Sequence, residues 1–131
     1  MRPMIRIAVS AAALSASFAQ VVREFPPDYL DNRSVDLARI APDKCTVELL
    51  NERMRVVRMR VPANTRVPIH QHGPGLIVAV RELALRIASS DGTITDVLLH
   101  AGETQWIRGG VHSEENLGAA AAEYLHIEAK N

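Results

Sequence analysis

Hydrophobic and polar residues alternate along most of the chain after residue 44, which is the pattern of half-buried β-strands. The first such stretch, CTVELLNERMRVVRMRV at 45–61, is rich in β-branched residues. Its apolar positions change phase between Val56 and Val57. This change predicts a β-bulge at that point, or a strand that crosses from one sheet to another.

Short turns separate the later strands. In GLIVAVRELALRIASS the apolar residues alternate with Arg86, and Asp91-Gly92 then predicts a hairpin before an antiparallel return over TITDVLL. HAGE at 100–103 predicts another tight turn, in which His100 is expected to be a solvated loop residue. TQWIRGGVH and AEYLHIEAK are the last predicted strands. Many short strands with Gly, Pro, Asn and Asp between them predict an all-β fold, a sandwich or a small barrel.

The first residues of the chain do not follow this pattern. Residues 1–19 have a basic start, an apolar Ala-rich run and small residues before Gln20, which predicts a cleaved signal peptide. An uncleaved anchor and a buried structural helix are the alternatives. Export implies a periplasmic or secreted protein, with no membrane association expected after cleavage. Residues 20–43 contain Pro26-Pro27 and several Asp and Asn residues, which predict an irregular N-terminal arm with a short strand or helical turn near 34–40.

The composition of the chain limits the kinds of partner that it is expected to bind. The chain has 131 residues, enough for one folded domain, which we place at 44–131. Its formal charge is zero and 4% of its residues are aromatic, so neither nucleic acid nor an anionic lipid surface is expected as a partner. Cys45 is the single cysteine, which excludes an intramolecular disulfide, and we expect it to be a small buried residue.

Candidate chemistry begins in the stretch VPIHQHGPG at 67–75. His70 and His72 are two positions apart on a predicted strand, so both imidazoles point to one face and Gln71 points to the other. If that face is the interior, the two side chains converge on one point. A metal site needs at least one more donor, and imidazole suits Zn, Fe, Mn, Ni and Cu.

Two stretches of the chain resemble the motifs of the cupin superfamily, small bacterial single-domain cupins in particular. The paired histidines of the first motif match His70 and His72. The second motif is matched at its glycines, its histidine and its asparagine, which are Gly102, Gly110, His112 and Asn116. The resemblance implies a single jelly-roll β-barrel over 44–131.

The resemblance also implies a metal site formed by His70, His72 and His112. The chain departs from the family at the glutamate of the first motif, because Leu76 and Ile77 stand where that residue is expected. The implied site is three histidines without a carboxylate, holding a divalent ion such as Zn, Fe, Mn, Ni or Cu. Such a site would keep the full charge of the ion and would favour a small anionic organic ligand. Histidines that bind no metal and are satisfied by local hydrogen bonds are the alternative.

Four further residues are candidates for the cavity or the ligand site: Trp106, Arg108, Glu114 and His126. Trp106 is expected in the core, or else in a cavity wall, and Arg108 is expected to be a surface charge, or else an anion contact. Glu114 shares the face of His112 and could replace the missing carboxylate, but two strand residues span roughly 7 Å. We therefore expect it on a solvated rim. His126 is expected outside the barrel, with a fourth-ligand or supporting role as the alternative.

These observations predict an exported metal-binding cupin whose cavity takes a small molecule. The enzyme hypothesis is a three-histidine centre that performs oxygen-dependent cleavage or isomerisation, as a dioxygenase or an isomerase. One alternative is a binding protein that performs no chemistry. Another is a structural or dimerising cupin without metal. A homodimer is the expected assembly. The sequence contains no nucleophile elbow, phosphate-binding loop or dinucleotide motif that would support a different chemistry.

Overall fold

The computed structural model describes residues 36–130. The predicted signal peptide at 1–19 and the first part of the predicted arm, at 20–35, lie outside these residues. The described residues form one short helix and nine strands: α1 (Leu37–Ile40), β1 (Cys45–Leu50), β2 (Met54–Val61), β3 (Arg66–His72), β4 (Gly75–Ala79), β5 (Leu83–Ser89), β6 (Ile94–Leu99), β7 (Thr104–Ile107), β8 (Gly110–Asn116) and β9 (Ala122–Ala129). Within the described range, no helix is long and apolar enough to cross a membrane.

The strands form two antiparallel sheets that face each other. One sheet has five strands in the order β1-β2-β9-β4-β7, and the other has four in the order β3-β8-β5-β6. Chain neighbours such as β2 and β3 lie in different sheets, so the chain crosses repeatedly from one layer to the other. The inward-facing apolar side chains of both layers form one core. The predicted all-β jelly-roll architecture is confirmed.

The irregularity predicted near Val56 and Val57 lies on the partner strand instead. In the pairing of β1 with β2, Val47 opposes Val57 and Leu49 opposes Val56, so Glu48 is an additional residue in β1. The ladder of β2 with β9 continues through the same positions without a shift. The apparent phase change in β2 arises because Val56 is half-buried on the outer face, not because the strand changes sheet.

A second irregularity, in β3, positions the paired histidines. Val67 opposes Glu114 on β8, and His70 opposes His112. An advance of three residues along β3 therefore matches an advance of two residues along β8. The additional residue allows Val67 and His70 to point into the interior although they are an odd number of positions apart. His72 then follows on the same inward face.

The end of the predicted arm folds against the barrel. Asp36 caps α1 by accepting a hydrogen bond from the Ala38 amide, and Leu37 is completely buried in the core. The helical turn predicted near 34–40 is therefore present. Cys45 is half-buried beside this helix, with its Sγ 3.6 Å from the Leu37 carbonyl, and burial raises the pKa of its thiol. Cys45, expected to be a small buried residue, packs against the core but is only partly buried, because β1 is an edge strand with mostly exposed side chains.

The predicted Asp91-Gly92 hairpin joins β5 and β6, with Gly92 at φ +90° and the Asp91 carboxylate accepting from the Thr93 amide. Gly102 has φ +85° in the predicted turn at 100–103. His100 in that turn is partly buried, with its Nδ1 3.2 Å from the Glu82 carboxylate. Both turns therefore lie where the sequence predicts them.

Gly75 lies against β9 with no space for a side chain, and its replacement tests this packing. A Cβ added at Gly75 would lie 1.9 Å from the carbonyl oxygen of Ile127, whereas one added at Gly73 would meet nothing nearer than 3.5 Å. We expect Gly75→Ala to lower the free energy of unfolding by about 3 kcal/mol. Gly73→Ala should change it by less than about 0.5 kcal/mol. Urea denaturation measures both, and equal stabilities of the two variants would contradict the pairing of β4 with β9.

Candidate metal centre

The three predicted histidines lie side by side on two neighbouring strands. His70 and His72 belong to β3, and His112 lies on β8 directly opposite His70. All three side chains are buried, and their ring centroids lie 4.6 to 5.0 Å apart. Gln71 is exposed on the opposite face of β3, as its position between the two histidines predicts. The structure therefore brings together the donors that the motifs indicated.

Glu114 adds a carboxylate to these histidines. Its Oε2 atom lies 2.8 Å from Nε2 of His70, 3.0 Å from Nε2 of His72 and 3.1 Å from Nε2 of His112. The side chain is fully buried, so the expected rim position is wrong. That expectation considered only the backbone separation along β8. The glutamate side chain is long enough to bring its carboxylate back beside His112.

This carboxylate changes the charge of the implied site. Ile77, at a position where the first cupin motif has its glutamate, is a completely buried core residue. Glu114 supplies a negative charge from β8 instead, so the expectation of three histidines without a carboxylate is wrong. With a divalent ion, the site would have a net charge of +1, which is two positive charges less one negative.

Hydrogen bonds determine which nitrogen of two histidines carries the proton. Nδ1 of His70 lies 2.6 Å from the carbonyl oxygen of Pro68, and Nδ1 of His72 lies 2.6 Å from Oε1 of Glu128. A carbonyl and a carboxylate only accept, so both Nδ1 atoms must donate. In neutral His70 and His72 the Nε2 lone pairs are therefore directed at Oε2 of Glu114, which is also an acceptor.

A cation between these atoms would resolve the conflict. Burial opposes ionisation of Glu114, but its contact with His126 helps to hold the pKa of this carboxyl well below its usual range. A single proton could satisfy one of the contacts between acceptors, but not all of them. The four ligand atoms lie within 4.8 Å of one another. Donors arranged tetrahedrally around a zinc-like ion lie about 3.3 Å apart, close to the distances from Oε2 to the three nitrogens. The residues therefore fit a divalent metal.

Two residues of the opposite sheet hold the Glu114 carboxylate in place. The Tyr124 hydroxyl donates to Oε1 at 2.7 Å, and Nε2 of His126 lies 3.2 Å from both carboxylate oxygens. The His126 ring also stacks on His72, with centroids 3.9 Å apart. Because Tyr124 binds Oε1, Oε2 is the oxygen that faces the three imidazoles.

His126 is buried, so the expectation that it lies outside the barrel is wrong. That expectation placed the apolar residues of β9 in the core. The inner face of β9 instead carries the buried residues Tyr124, His126 and Glu128, whereas Leu125 and Ile127 are half-buried on the outer face. The alternation was read correctly, but its faces were exchanged because the interior at this position is polar.

Burial keeps the imidazoles of His112 and His126 neutral near pH 7. It lowers the pKa of His112 to about 4, although the hydrogen bond and charge of Glu114 act in the opposite direction. Burial also lowers the pKa of His126. A neutral imidazole is the form that coordinates a metal, so His112 requires no deprotonation at neutral pH.

Glu128 contacts Nδ1 of His72, the ring nitrogen that does not face Glu114. Burial would raise the pKa of its carboxyl, but hydrogen bonds from His72 and Arg55 lower it to about 2. A carboxylate on the distal nitrogen of a metal-binding histidine is a frequent supporting contact in metal sites. Sequence reasoning missed Glu128 and Tyr124, although both share the parity of His126 on β9, which is the signal that could have indicated them.

A cleft of about 280 Å³ reaches His112 of the cluster and is lined by edge strand β7 of one sheet and by β5 and β8 of the other. Its lining includes Ser89, Trp106, Arg108 and His112. Trp106 is 59% exposed, so the expected core position is wrong, because its side chain lies on the outer face of edge strand β7. Arg108 is a surface residue, as expected, with its side chain 3.6 Å from the Asp91 carboxylate.

Solved structures with the same architecture include cupin domains. A cupin domain from Bordetella pertussis is 24% identical, with a TM-score of 0.59 over 66% of this chain and 92% of that one. A cupin superfamily protein from Desulfitobacterium hafniense is 11% identical, with a TM-score of 0.51 over 66% of this chain and 76% of the other. A cupin domain from Schizosaccharomyces pombe is 14% identical, with a TM-score of 0.52 over 66% and 64%. At these identities the similarity establishes the cupin fold.

No protein-family model matches the sequence, and no curated protein is significantly similar to it.

Replacing Glu114 with glutamine tests the charge arrangement, because the amide keeps the shape of the carboxylate and can donate to two imidazole lone pairs. At pH 8 we expect Glu114→Gln to raise the free energy of unfolding of the metal-free protein by about 1 kcal/mol. It should also weaken Zn²⁺ binding at least ~10-fold. Urea denaturation and competition with a chelator measure the two effects.

Glu115→Gln is the matched control, since this neighbour lies on the other face of β8 and should leave Zn²⁺ affinity unchanged. A Glu114→Gln variant that is less stable than the wild type at pH 8 would contradict the arrangement of facing acceptors.

Proposed function

We propose that this cupin-fold chain binds a divalent metal ion through His70, His72, His112 and Glu114, and that a small anionic organic molecule reaches the centre through the Trp106 and Arg108 cleft. One observation supports the metal most strongly. In their neutral form, two buried imidazoles, each with its Nδ1 proton bound by an acceptor, direct their Nε2 lone pairs at a buried carboxylate. A divalent cation between them would supply the charge that this arrangement lacks.

The donor set suits several metals. Imidazole nitrogen with one carboxylate oxygen is compatible with Zn, Fe, Mn, Ni and Cu. Cys45, the single cysteine of the chain, lies beside Leu37 in the α1 region and is not among the donors. A bound ion would supply Lewis acidity and open coordination positions for a substrate, water or oxygen. Tyr124 and His126 would keep the Glu114 carboxylate oriented toward it, and the buried walls of the barrel would limit access by water.

The charge and the lining of the cleft support the proposal that it binds an anionic molecule. The lining includes the buried His112, the exposed positive charge of Arg108 and the exposed apolar surface of Trp106. The net positive charge proposed for the metal-loaded centre would also attract an anion. A small molecule with a carboxylate and a flat apolar part fits these features best.

We propose oxygen-dependent cleavage and isomerisation as the reaction classes to test. The second candidate, ligand binding without turnover, is favoured by a specific observation. Besides His112, the titratable side chains that line the cleft are Asp91 and Arg108, which lie beside each other. The cleft lining therefore offers no carboxylate or imidazole beyond these to act as a general base next to a bound molecule.

Export and dimer formation remain part of the proposal. The sequence of residues 1–19 supports export to the periplasm or the outside of the cell. The homodimer is supported by β1, an edge strand of the five-stranded sheet on which Leu49 and Leu50 are exposed.

Metal loading tests the centre directly. We expect the purified wild type to bind one Zn²⁺ per chain, and His70→Ala or His112→Ala to weaken binding more than ~100-fold, because each removes a direct ligand. His100→Ala is the matched control, since His100 lies beside Glu82 and outside the cluster. Elemental analysis and chelator competition measure occupancy and affinity. Equal metal content in all four proteins would contradict the proposed site.

Binding of a small carboxylate tests the cleft. We expect the metal-loaded protein to bind benzoate, and Arg108→Gln to weaken that binding about fivefold, which corresponds to roughly 1 kcal/mol. Uncharged benzyl alcohol should not distinguish the two proteins. Arg81→Gln is the control, because Arg81 is an exposed arginine outside the cleft lining. Isothermal titration calorimetry measures the affinities, and an equal loss with Arg81→Gln would contradict a specific role of Arg108.

A further inference from the structure

A chain of charged contacts leads from the metal centre to the N-terminal end of the described structure. Nδ1 of His72 donates to Oε1 of Glu128 at 2.6 Å, and Oε2 of Glu128 accepts from Nε of Arg55 at 2.8 Å. Nη1 of Arg55 then donates to Oδ1 of Asp36 at 2.7 Å. The side chains of Arg55 and Glu128 are 16% and 9% exposed, so this ion pair is largely shielded from solvent, whereas the Asp36 side chain is 33% exposed.

Asp36 belongs to a short segment, residues 36–41, that packs on the barrel. Leu37 and Ala41 anchor this 36–41 segment in the core. The other carboxylate oxygen of Asp36 caps α1. Its backbone also pairs with Gln71, the residue next to His72. The 36–41 segment therefore contacts the metal-binding strand both through its backbone and through the charged chain.

We propose that Arg55 is a positioning residue for the metal centre, and that ion binding and docking of the 36–41 segment stabilise each other through Glu128. This inference rests on the metal centre proposed above and assigns it a partner within the same chain. Metal sites depend on such supporting contacts because they fix the ring orientation and raise the basicity of the ligand.

Arg55 is the central connection because it holds Glu128 and Asp36 together. Arg55, His72 and Glu128 line a second cleft, of about 380 Å³, on the side of Asp36 and Lys130. Without the guanidinium, the Glu128 carboxylate would have room to turn into this cleft and away from His72. The Asp36 carboxylate would lose its contact with the barrel at the same time. Coupling between two binding events is reciprocal, so ion binding should protect the 36–41 segment by the same free energy with which the docked segment favours the ion.

Arg58 provides a matched control on the same strand. It lies three positions after Arg55 on β2 and also joins two carboxylates, those of Glu48 and Glu123. Its side chain is 22% exposed, similar to that of Arg55. Neither of its partners contacts the histidine cluster. Replacing each arginine with methionine removes the same charge and a similar pair of contacts, but only the change at Arg55 interrupts the chain to His72.

The experiment measures Zn²⁺ affinity by chelator competition in the full chain. We expect Arg55→Met to weaken Zn²⁺ binding about tenfold and Arg58→Met to change it less than about twofold. Arg55→Lys should recover part of the loss, because an ammonium group can replace one of the two contacts. Hydrogen exchange gives a second readout. Added Zn²⁺ should slow exchange of the Ile40 and Ala41 amides, which bond to Asp36 and Leu37, in the wild type and in Arg58→Met but not in Arg55→Met.

Asp36→Asn tests the outer contact if Arg55→Met does not fold. It keeps the Arg55 to Glu128 pair and should abolish most of the Zn²⁺-dependent protection of Ile40 and Ala41, while weakening Zn²⁺ binding about threefold. Unchanged protection in Asp36→Asn would overturn the coupling.

Two outcomes separate this inference from the proposed function. A wild type that binds no Zn²⁺ would overturn both. A wild type that binds Zn²⁺ with Arg55→Met and Arg58→Met within twofold of each other would overturn the role of Arg55 and leave the metal centre standing.

Discussion

The structure depends on one buried negative charge, the carboxylate of Glu114, in the middle of a β-barrel. A carboxylate without partners in such an environment would cost several kcal/mol, so its surroundings must compensate it. Tyr124 and His126 donate from one sheet, and three imidazole nitrogens converge on its free oxygen from the other. The Nδ1 protons of His70 and His72 are donated to other acceptors. In their neutral form these rings therefore have no proton to donate to Oε2, and a cation could bind between the nitrogens and this oxygen.

Strand register and side-chain alternation bring these groups together. The additional residue in β3 turns His70 inward opposite His112, and the alternation of β8 brings Glu114 to the same face. The facing strand β9 reverses the usual arrangement and points its polar residues inward. The four-stranded sheet therefore contributes the four candidate ligands, and the five-stranded sheet contributes the side chains that orient them. The Glu128, Arg55 and Asp36 contacts extend the centre to the start of the described chain.

The shared face of His70 and His72 and the two glycine-bounded turns could be predicted from sequence, because alternation and turn chemistry are local properties. His112 was identified through the resemblance to the second cupin motif. The depth of Glu114 could not, because it depends on how a side chain turns back along its strand. The faces of β9 were exchanged because an apolar interior was assumed where the interior is polar. Trp106 was placed in the core on residue type alone, but its edge-strand position exposes it.

The crystal structure of the Zn²⁺-loaded protein, with anomalous scattering to locate the ion, tests the central claim most directly. We expect one zinc in the barrel, bound at about 2.0–2.2 Å by Nε2 of three histidines and by Oε2 of Glu114. The histidines are His70, His72 and His112. Zinc found only at the surface, or coordinated by fewer than three of these histidines, would contradict the account.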